Sequence, residues 1–167
     1  MADAPAASAV AQRRDVWLLR HCESEFNSGK DKLGHDVPLT ERGFAQAALI
    51  EGVFDVVALS PLRRAQQTLY SSKIKAHQII VLPELREIKK DPCDYLLDEV
   101  DPHVDESEES VARRVQAVLT WAHSQTAPRV LLVGHADFFF ALTRAKGPDG
   151  DDYGRWLENG ECISVVL

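Results

Sequence analysis

The chain has 167 residues, 45% hydrophobic and 27% charged, which is typical of a soluble globular protein with a substantial core. Its formal net charge of −7 argues against nucleic acid or an anionic membrane as a partner, and no stretch approaches the roughly 20 apolar residues of a membrane span. The three cysteines form no CxxC pair, so free thiols and a reducing, cytoplasmic location are expected.

The N-terminal 14 residues are rich in alanine and lack the basic region and continuous apolar stretch of a secretory signal. We predict a disordered leader over residues 1–14, with a weak transit peptide as the alternative. A single domain is predicted over residues 15–167.

Strands and helices are predicted to alternate along the rest of the chain. Short apolar runs predict buried strands at Asp15–Leu19, Val53–Leu59, Ile79–Leu82, Val130–Val133 and Cys162–Leu167. Helices are predicted to begin after the N-cap residues Thr40 and Ser60, and further helices are predicted over Ser107–Ser124 and Phe138–Ala145. Residues 89–109 are predicted as a loop with one helical turn around Asp94–Glu99. This order predicts an α/β three-layer sandwich, with a mostly parallel central sheet and helices on both faces.

Basic side chains follow three of the predicted strands. Arg20 and His21 end the first, Arg63 and Arg64 open the helix after the second, and His135 follows the fourth. Ligands of open α/β sheets bind beyond the carboxyl ends of the strands, so these groups are expected to form one cationic cluster. Such a cluster beside a helix N-terminus is typical of a phosphate site. The sequence contains no HxH or HExxH motif and no carboxylate cluster with the spacing of metal ligands, so no metal site is predicted.

Five ordered segments carry a resemblance to a known family: RHCESEFN, PLTERGFAQA, SPLRRAQQT, PELREI and LLVGHADF. They resemble the motifs of the histidine phosphatase superfamily, which has the phosphoglycerate mutase-like fold. The resemblance covers residues 16 to about 145. It implies phosphoryl transfer through a phosphohistidine, without a metal or another cofactor.

Residue roles follow from this resemblance. It implies that His21 is the nucleophile and that Glu87 is the general acid and base, with Glu84 as a nearby rival carboxylate. It implies that the phosphoryl oxygens are held by Arg20, Arg64 and His135, and that substrate contacts come from Ser24, Asn27 and Ala136. The residue types suit the chemistry, because a neutral imidazole is a good in-line nucleophile and arginine donates forked hydrogen bonds. His135 is expected to add a donor if it is protonated.

Two positions depart from the family's usual glycines, Cys22 and Ala136. A cysteine-based phosphatase would need an arginine six positions after Cys22, where Ser28 stands, so the thiol is not predicted to be the nucleophile. A thiol beside a cationic phosphate site is nevertheless hypothesised to have a depressed pKa and to be oxidisable.

The expected activity is a phosphatase acting on a phosphorylated small molecule or a phosphoprotein. The short segment after Glu87 predicts a minimal lid, which favours hydrolysis by water over retention of an intermediate. Two alternatives stay open: a phosphoglycerate mutase-type phosphotransferase, and a weakly active phosphate-binding or scaffold protein. The sequence assigns neither a particular substrate nor an oligomeric state.

Overall fold

The computed structural model describes residues 15–146 and 152–167; the predicted leader lies outside them. The described strands are β1 (Asp15–Arg20), β2 (Glu51–Leu59), β3 (Lys73–Val81), β4 (Val130–Gly134), β5 (Ala145–Lys146), β6 (Asp152–Tyr153) and β7 (Cys162–Val166). The described helices are α1 (Glu25–Ser28), α2 (Glu41–Ala47), α3 (Arg63–Ser71), α4 (Glu108–Ser124) and α5 (Ala136–Leu142). Short 3-10 turns cover Pro83–Leu85 and Pro92–Asp94. None of the described helices is both long and apolar enough to cross a membrane.

The central sheet has five strands in the order β3-β2-β4-β1-β7. The pairs β3–β2, β2–β4 and β4–β1 are parallel, and β7 pairs with β1 antiparallel at one edge. Arg20 lies opposite Gly134 in the β1–β4 register, so Arg20 and His135 reach the same edge of the sheet. The predicted mostly parallel α/β sheet is confirmed. A separate antiparallel pair is formed by β5 and β6.

The two faces of the sheet bury separate apolar clusters, because successive side chains of a strand point to opposite faces. One cluster joins Val16, Leu18, Val130 and Leu132 to residues of α4 and α5, including Val118, Phe138 and Phe139. The other joins Leu19, Val57, Leu131 and Val133 to Ala65 and Leu69 of α3. Helices therefore cover both faces, as predicted.

Of the two predicted N-caps, Thr40 is confirmed, and the helix predicted over Ser107–Ser124 begins one residue later, at Glu108. The hydroxyls of Thr40 and Ser107 accept from backbone N–H groups of α2 and α4, and both residues are N-caps. The prediction of Ser60 as an N-cap was wrong: α3 begins at Arg63, and Asp36 from a distant loop accepts from the Arg63 N–H at 2.6 Å. A cap supplied from a remote segment leaves no local signal in the sequence.

Other boundaries differ for physical reasons. The third strand runs over Lys73–Val81 rather than Ile79–Leu82; it is an edge strand with exposed polar side chains, so only part of it appears as an apolar run. The last helix runs over Ala136–Leu142 rather than Phe138–Ala145, and it begins earlier because the Glu87 carboxylate accepts from its first-turn N–H groups. The turn expected around Asp94–Glu99 lies instead at Pro92–Asp94.

Candidate active site

A cavity of about 230 Å³ opens at the carboxyl ends of β1 and β4. Seven of the predicted site residues line it: Arg20, His21, Ser24, Asn27, Arg64, Glu87 and Ala136. The eighth, His135, is fully buried beside His21, with ring centroids 5.1 Å apart. The fold thus brings together residues from separate stretches of the chain.

A larger cavity, of about 480 Å³, lies between the Arg86 segment and the start of α4. It contains none of the predicted residues, and its main charged groups are already paired. Arg86 lies 2.7 Å from Glu99, and Arg114 lies 2.6 Å from Glu106. The smaller cavity is therefore the better candidate for a reactive site.

The His21 imidazole is held in one orientation and one tautomer. Its Nδ1 lies 2.7 Å from the Cys22 carbonyl oxygen, which can only accept, so Nδ1 carries the proton. Burial, reinforced by the Arg64 charge, lowers the pKa of His21 well below its ordinary value. The ring is therefore neutral, and the lone pair is on Nε2, facing Arg64.

Arg64 is buried in the first turn of α3 and is held on three sides. Its Nε donates to His21 Nε2 at 3.3 Å, and its Nη1 donates to the Cys93 carbonyl at 2.6 Å. Its Nη2 forms an ion pair with Asp94 at 3.0 Å. The guanidinium thus contacts the predicted nucleophile and a carboxylate at the same time.

Arg20 and His135 each present a buried nitrogen without a hydrogen-bond partner among the described residues, namely Arg20 Nε and His135 Nδ1. Arg20 Nη1 donates to the Leu157 carbonyl at 2.7 Å, and Arg20 Cζ lies 5.5 Å from the centroid of the Trp156 ring. Buried polar nitrogens without partners are rare, so each of these two nitrogens is expected to have a partner when a ligand is bound.

His135 is neutral, because burial lowers its pKa well below the ordinary value. Its Nε2 lies 2.8 Å from the Ser60 hydroxyl, which also accepts from the Leu62 N–H at 3.3 Å. We assign the hydroxyl proton to the bond with Nε2, which leaves a proton on His135 Nδ1. The neutral ring can therefore still donate one hydrogen bond, as a charged ring was expected to do.

Glu87 sits between the cavity and the start of α5. One carboxylate oxygen accepts from the N–H groups of Ile88 and Phe138, each at 2.9 Å, and the other from Asp137 N–H at 3.3 Å. Burial is the largest effect and raises the pKa of Glu87 to about 7, although Arg64 acts to lower it. Glu84, the rival carboxylate, is not among the residues that line the cavity.

Ser24 and Asn27 shape the first loop. The Ser24 hydroxyl donates to Asn27 Oδ1 at 2.9 Å, and the two residues cap α1 reciprocally. The Asn159 side-chain amide, from a segment near the C-terminus, donates to the His21 carbonyl at 3.0 Å and to Asn27 Oδ1 at 3.2 Å. The loop and the His21 backbone are thereby tied to the same residue.

Cys22 points away from the cavity. Its side chain is fully buried and packs with Leu39, Ala47 and Ile50. Burial raises the pKa of its thiol to about 11, so the hypothesis of a depressed pKa is wrong. Among the described non-glycine residues only Asp36 and His103 have positive φ, and Cys22 does not, so it replaces a glycine without backbone strain.

Several residues of the cavity were missed from the sequence: Phe26, Asp91, Cys93, Asp94, Asp137 and Trp156. Asp137 follows His135 by two residues and could have been found by asking which side chains open the next helix. Asp94 ends the 3-10 turn Pro92–Asp94, and Trp156 lies in a stretch without regular secondary structure, so neither directly follows a strand of the central sheet. Within the described residues, no group of three or more His, Cys, Asp or Glu side chains could hold a metal ion.

Comparison with known proteins identifies the family. A sequence profile of the histidine phosphatase superfamily (branch 1) matches residues 16–166. The chain belongs to the histidine phosphatase superfamily. The match extends past residue 145, where the motifs recognised in the sequence end, and includes Trp156 and Asn159. No curated protein sequence gives a significant match.

Solved structures of phosphoglycerate mutase-like proteins resemble this chain. TTHB049 from Thermus thermophilus is 28% identical, with 92% of this chain and 96% of that chain covered and a TM-score of 0.64. A phosphoglycerate mutase from the same organism is 27% identical over the same shares, also with a TM-score of 0.64. The Rv3214 protein from Mycobacterium tuberculosis, at 22% identity, 78% coverage of each chain and a TM-score of 0.58, supports the fold alone.

Proposed function

We propose that this histidine phosphatase superfamily member is a metal-independent phosphomonoesterase that works through a phosphohistidine on His21. One observation carries the proposal: a neutral His21, with its lone pair on Nε2, lines the cavity together with Arg20, and both Arg20 Nε and the Nδ1 of the adjacent His135 are buried without partners among the described residues. A phosphoryl group placed there would give both nitrogens an acceptor while its phosphorus faces Nε2.

The first step forms a bond between His21 Nε2 and phosphorus. Arg20, Arg64 and His135 donate to the phosphoryl oxygens and stabilise the developing charge, so no metal is required. Arg64 first turns its Nε–H from His21 to the phosphoryl group. The bond between phosphorus and the leaving oxygen breaks, and the leaving oxygen takes the proton of Glu87.

The second step removes the phosphoryl group from His21. The Glu87 carboxylate, now ionised, takes a proton from a water molecule, and the water oxygen attacks phosphorus. The bond between phosphorus and nitrogen breaks, which restores the Nε2 lone pair and releases inorganic phosphate. A pKa of about 7 suits Glu87 to both steps, because the acid and base forms are similarly populated at neutral pH.

We propose hydrolysis rather than mutase transfer. The segment between Glu87 and α4 holds only a short 3-10 turn at Pro92–Asp94, which is consistent with a small lid and access of water.

The substrate class is a phosphorylated small molecule or a phosphoprotein. All three cysteines are free thiols, which agrees with the predicted cytoplasmic location.

The phosphotransferase alternative is favoured by the 27% identity with a phosphoglycerate mutase. Incubation with 3-phosphoglycerate and a bisphosphate cofactor, followed by phosphorus NMR, separates the two activities. We expect inorganic phosphate as the product; conversion to an isomeric phosphoglycerate without phosphate release would replace our proposal by the mutase.

The proposal is tested with p-nitrophenyl phosphate in the presence of EDTA. We expect wild-type protein to release nitrophenol and His21→Ala to lose that activity. His123→Ala is the matched control, because His123 is an exposed histidine in α4. Hydrolysis that survives His21→Ala, or that disappears with EDTA, rules out the proposed mechanism.

A further inference from the structure

The cavity contains a carboxylate that the proposed reaction does not use. Asp94 Oδ1 lies 3.0 Å from Arg64 Nη2, and the two side chains are only 5% and 3% exposed. The other oxygen, Oδ2, accepts from the backbone N–H groups of Lys90 at 3.1 Å and Asp91 at 3.0 Å. Asp94 is therefore fixed against an arginine that the proposed function assigns to the phosphoryl group.

The charges around this pair are unusual for a phosphate site. Two guanidinium groups, of Arg20 and Arg64, face four carboxyl groups, of Glu87, Asp91, Asp94 and Asp137. Neither histidine adds positive charge, since both rings are neutral. Asp137 has a partner of its own in Lys90, at 3.3 Å, whereas Asp94 takes its ion pair from within the phosphoryl site.

We propose that Asp94 is a specificity-determining residue that limits the negative charge the cavity accepts. Any phosphoryl oxygen bound to Arg64 shares the guanidinium with a carboxylate, and like charges at such short separations repel. Because the cavity sets only two guanidinium groups against four carboxyl groups, the site favours anions of lower total charge, and therefore phosphomonoesters without a further negative charge over bisphosphates and phosphocarboxylates. This inference rests on the proposed function, because it assumes that Arg64 binds the phosphoryl group.

An orienting role for Asp94 predicts the opposite result. If Asp94 served to aim Arg64, its removal would weaken anion binding. Arg64 is, however, also held by the Cys93 carbonyl at 2.6 Å, through Nη1 rather than through the Nε–H that turns to the phosphoryl group. This contact does not depend on the Asp94 charge, so Asp94→Asn removes the charge while the contact with the Cys93 carbonyl persists.

The test compares two tetrahedral oxyanions of similar shape, sulfate with two negative charges and perrhenate with one. Each is measured as a competitive inhibitor of p-nitrophenyl phosphate hydrolysis. We expect Asp94→Asn to tighten sulfate binding about tenfold more than perrhenate binding. Asp91→Asn is the matched control, because it removes a carboxylate from the same cavity and leaves the Arg64 ion pair in place. For this variant we expect the ratio of the sulfate and perrhenate inhibition constants to change less than about threefold from wild type. Weaker binding of both anions to Asp94→Asn, an unchanged ratio, or an equal change in both variants would overturn the proposal.

A measurement on wild-type protein keeps the proposal testable if Asp94→Asn does not fold. We expect sulfate to bind wild type no more tightly than perrhenate, and sulfate binding more than about tenfold tighter would contradict the role of Asp94. If wild type hydrolyses its substrate through His21 but binds sulfate more than about tenfold tighter than perrhenate, this inference is wrong and the proposed function stands. Absence of competition by either anion removes the phosphoryl site, and with it both proposals.

Discussion

Burial determines the protonation states of both His21 and Glu87, and it shifts their pKa values in opposite directions. Burial disfavours charge, so it lowers the pKa of the imidazole and raises that of the carboxyl group to about 7. At neutral pH the proposed nucleophile therefore keeps its lone pair, while the proposed acid keeps a proton in a large share of molecules. One desolvated pocket supplies both reactive forms.

At the residue scale, Glu87→Gln tests the acid. We expect kcat for an alkyl phosphate to fall by about 10²–10⁴, because the leaving oxygen no longer receives a proton. In wild type the first step needs protonated Glu87, so the rate limited by that step falls as pH rises through about 7, and Glu87→Gln loses this dependence. Steady-state kinetics between about pH 5 and 9 measure both effects. Glu84→Gln is the control and should behave as wild type; an unchanged kcat in Glu87→Gln would remove Glu87 from the mechanism.

Cys22 is predicted to be inert at the same scale. Its thiol is buried and its pKa is raised to about 11, so peroxide should leave activity unchanged, and native protein should resist iodoacetamide at this position. Cys22→Gly is expected to lower the free energy of unfolding by about 1–2 kcal/mol, through a small cavity and added backbone freedom, with little change in kcat. Urea unfolding and peptide mass mapping provide the readouts. Peroxide inactivation that Cys22→Gly prevents would restore the redox hypothesis.

The sequence predicted the residues that sit at regular places in the fold. His21, Arg64 and His135 lie just beyond strands, so strand order alone places them at one edge. Asp94 could not be predicted, because its contact with Arg64 spans 30 residues and depends on the path of an irregular loop. The state of Cys22 was predicted wrongly for a related reason: adjacency in sequence to His21 did not reveal that the side chain points away from the cavity.

At the scale of elements, α4 holds the segment that carries Glu87. Arg114 donates to the backbone carbonyls of Glu84 and Arg86, each at 2.8 Å, and pairs with Glu106 at 2.6 Å. Burial of Glu106 is outweighed by hydrogen bonds led by the one from Arg114, so the pKa of Glu106 is lowered to about 2. Arg114 thus links a helix, a 3-10 turn and the predicted general acid.

Arg114→Met should therefore destabilise the fold by about 2–4 kcal/mol, because it leaves two carbonyls and a half-buried carboxylate without their donor. Arg113→Met is the matched control, since Arg113 is the exposed neighbour on the same helix. Its expected cost is under about 0.5 kcal/mol. Thermal or urea unfolding compares the two; equal costs would show that the Arg114 network adds no stability.

Element boundaries were predictable where the signal was local. Thr40 and Ser107 cap their own helices, whereas α3 is capped from Asp36, 27 residues away. In the C-terminal segment, too, a contact between residues distant in sequence could not be predicted. Asn159 supports the His21 carbonyl without any recognised motif, since its role arises only when β7 packs beside β1.

At the scale of the whole molecule, buried titratable groups link stability to pH. The pKa of Glu87 rises from 4.5 to about 7 on folding, so folded protein binds more protons than unfolded protein between these values. Its contribution to stability is complete below pH 4.5 and is lost as pH rises through about 7. His21 and His135 act in the opposite direction, because their lowered pKa values favour the folded state above their ordinary range.

Comparison of wild type with Glu87→Gln isolates the Glu87 effect, because the histidines are common to both. We expect the free energy of unfolding of the variant minus that of wild type to increase by roughly 3 kcal/mol between pH 4.5 and about 8, because only wild type loses the Glu87 contribution. Urea unfolding at closely spaced pH values measures it. A constant difference across this range would mean that Glu87 is ionised in the folded protein.

The most direct test of the account is to trap the phosphorylated enzyme. Wild-type protein is mixed with p-nitrophenyl phosphate, quenched in alkali within milliseconds, digested and analysed by mass spectrometry. We predict a phosphoryl group on His21 that survives alkali and is lost in acid, and that accumulates further in Glu87→Gln, where water is not activated. Steady turnover without phosphorylation of His21 at any time would contradict the phosphohistidine mechanism.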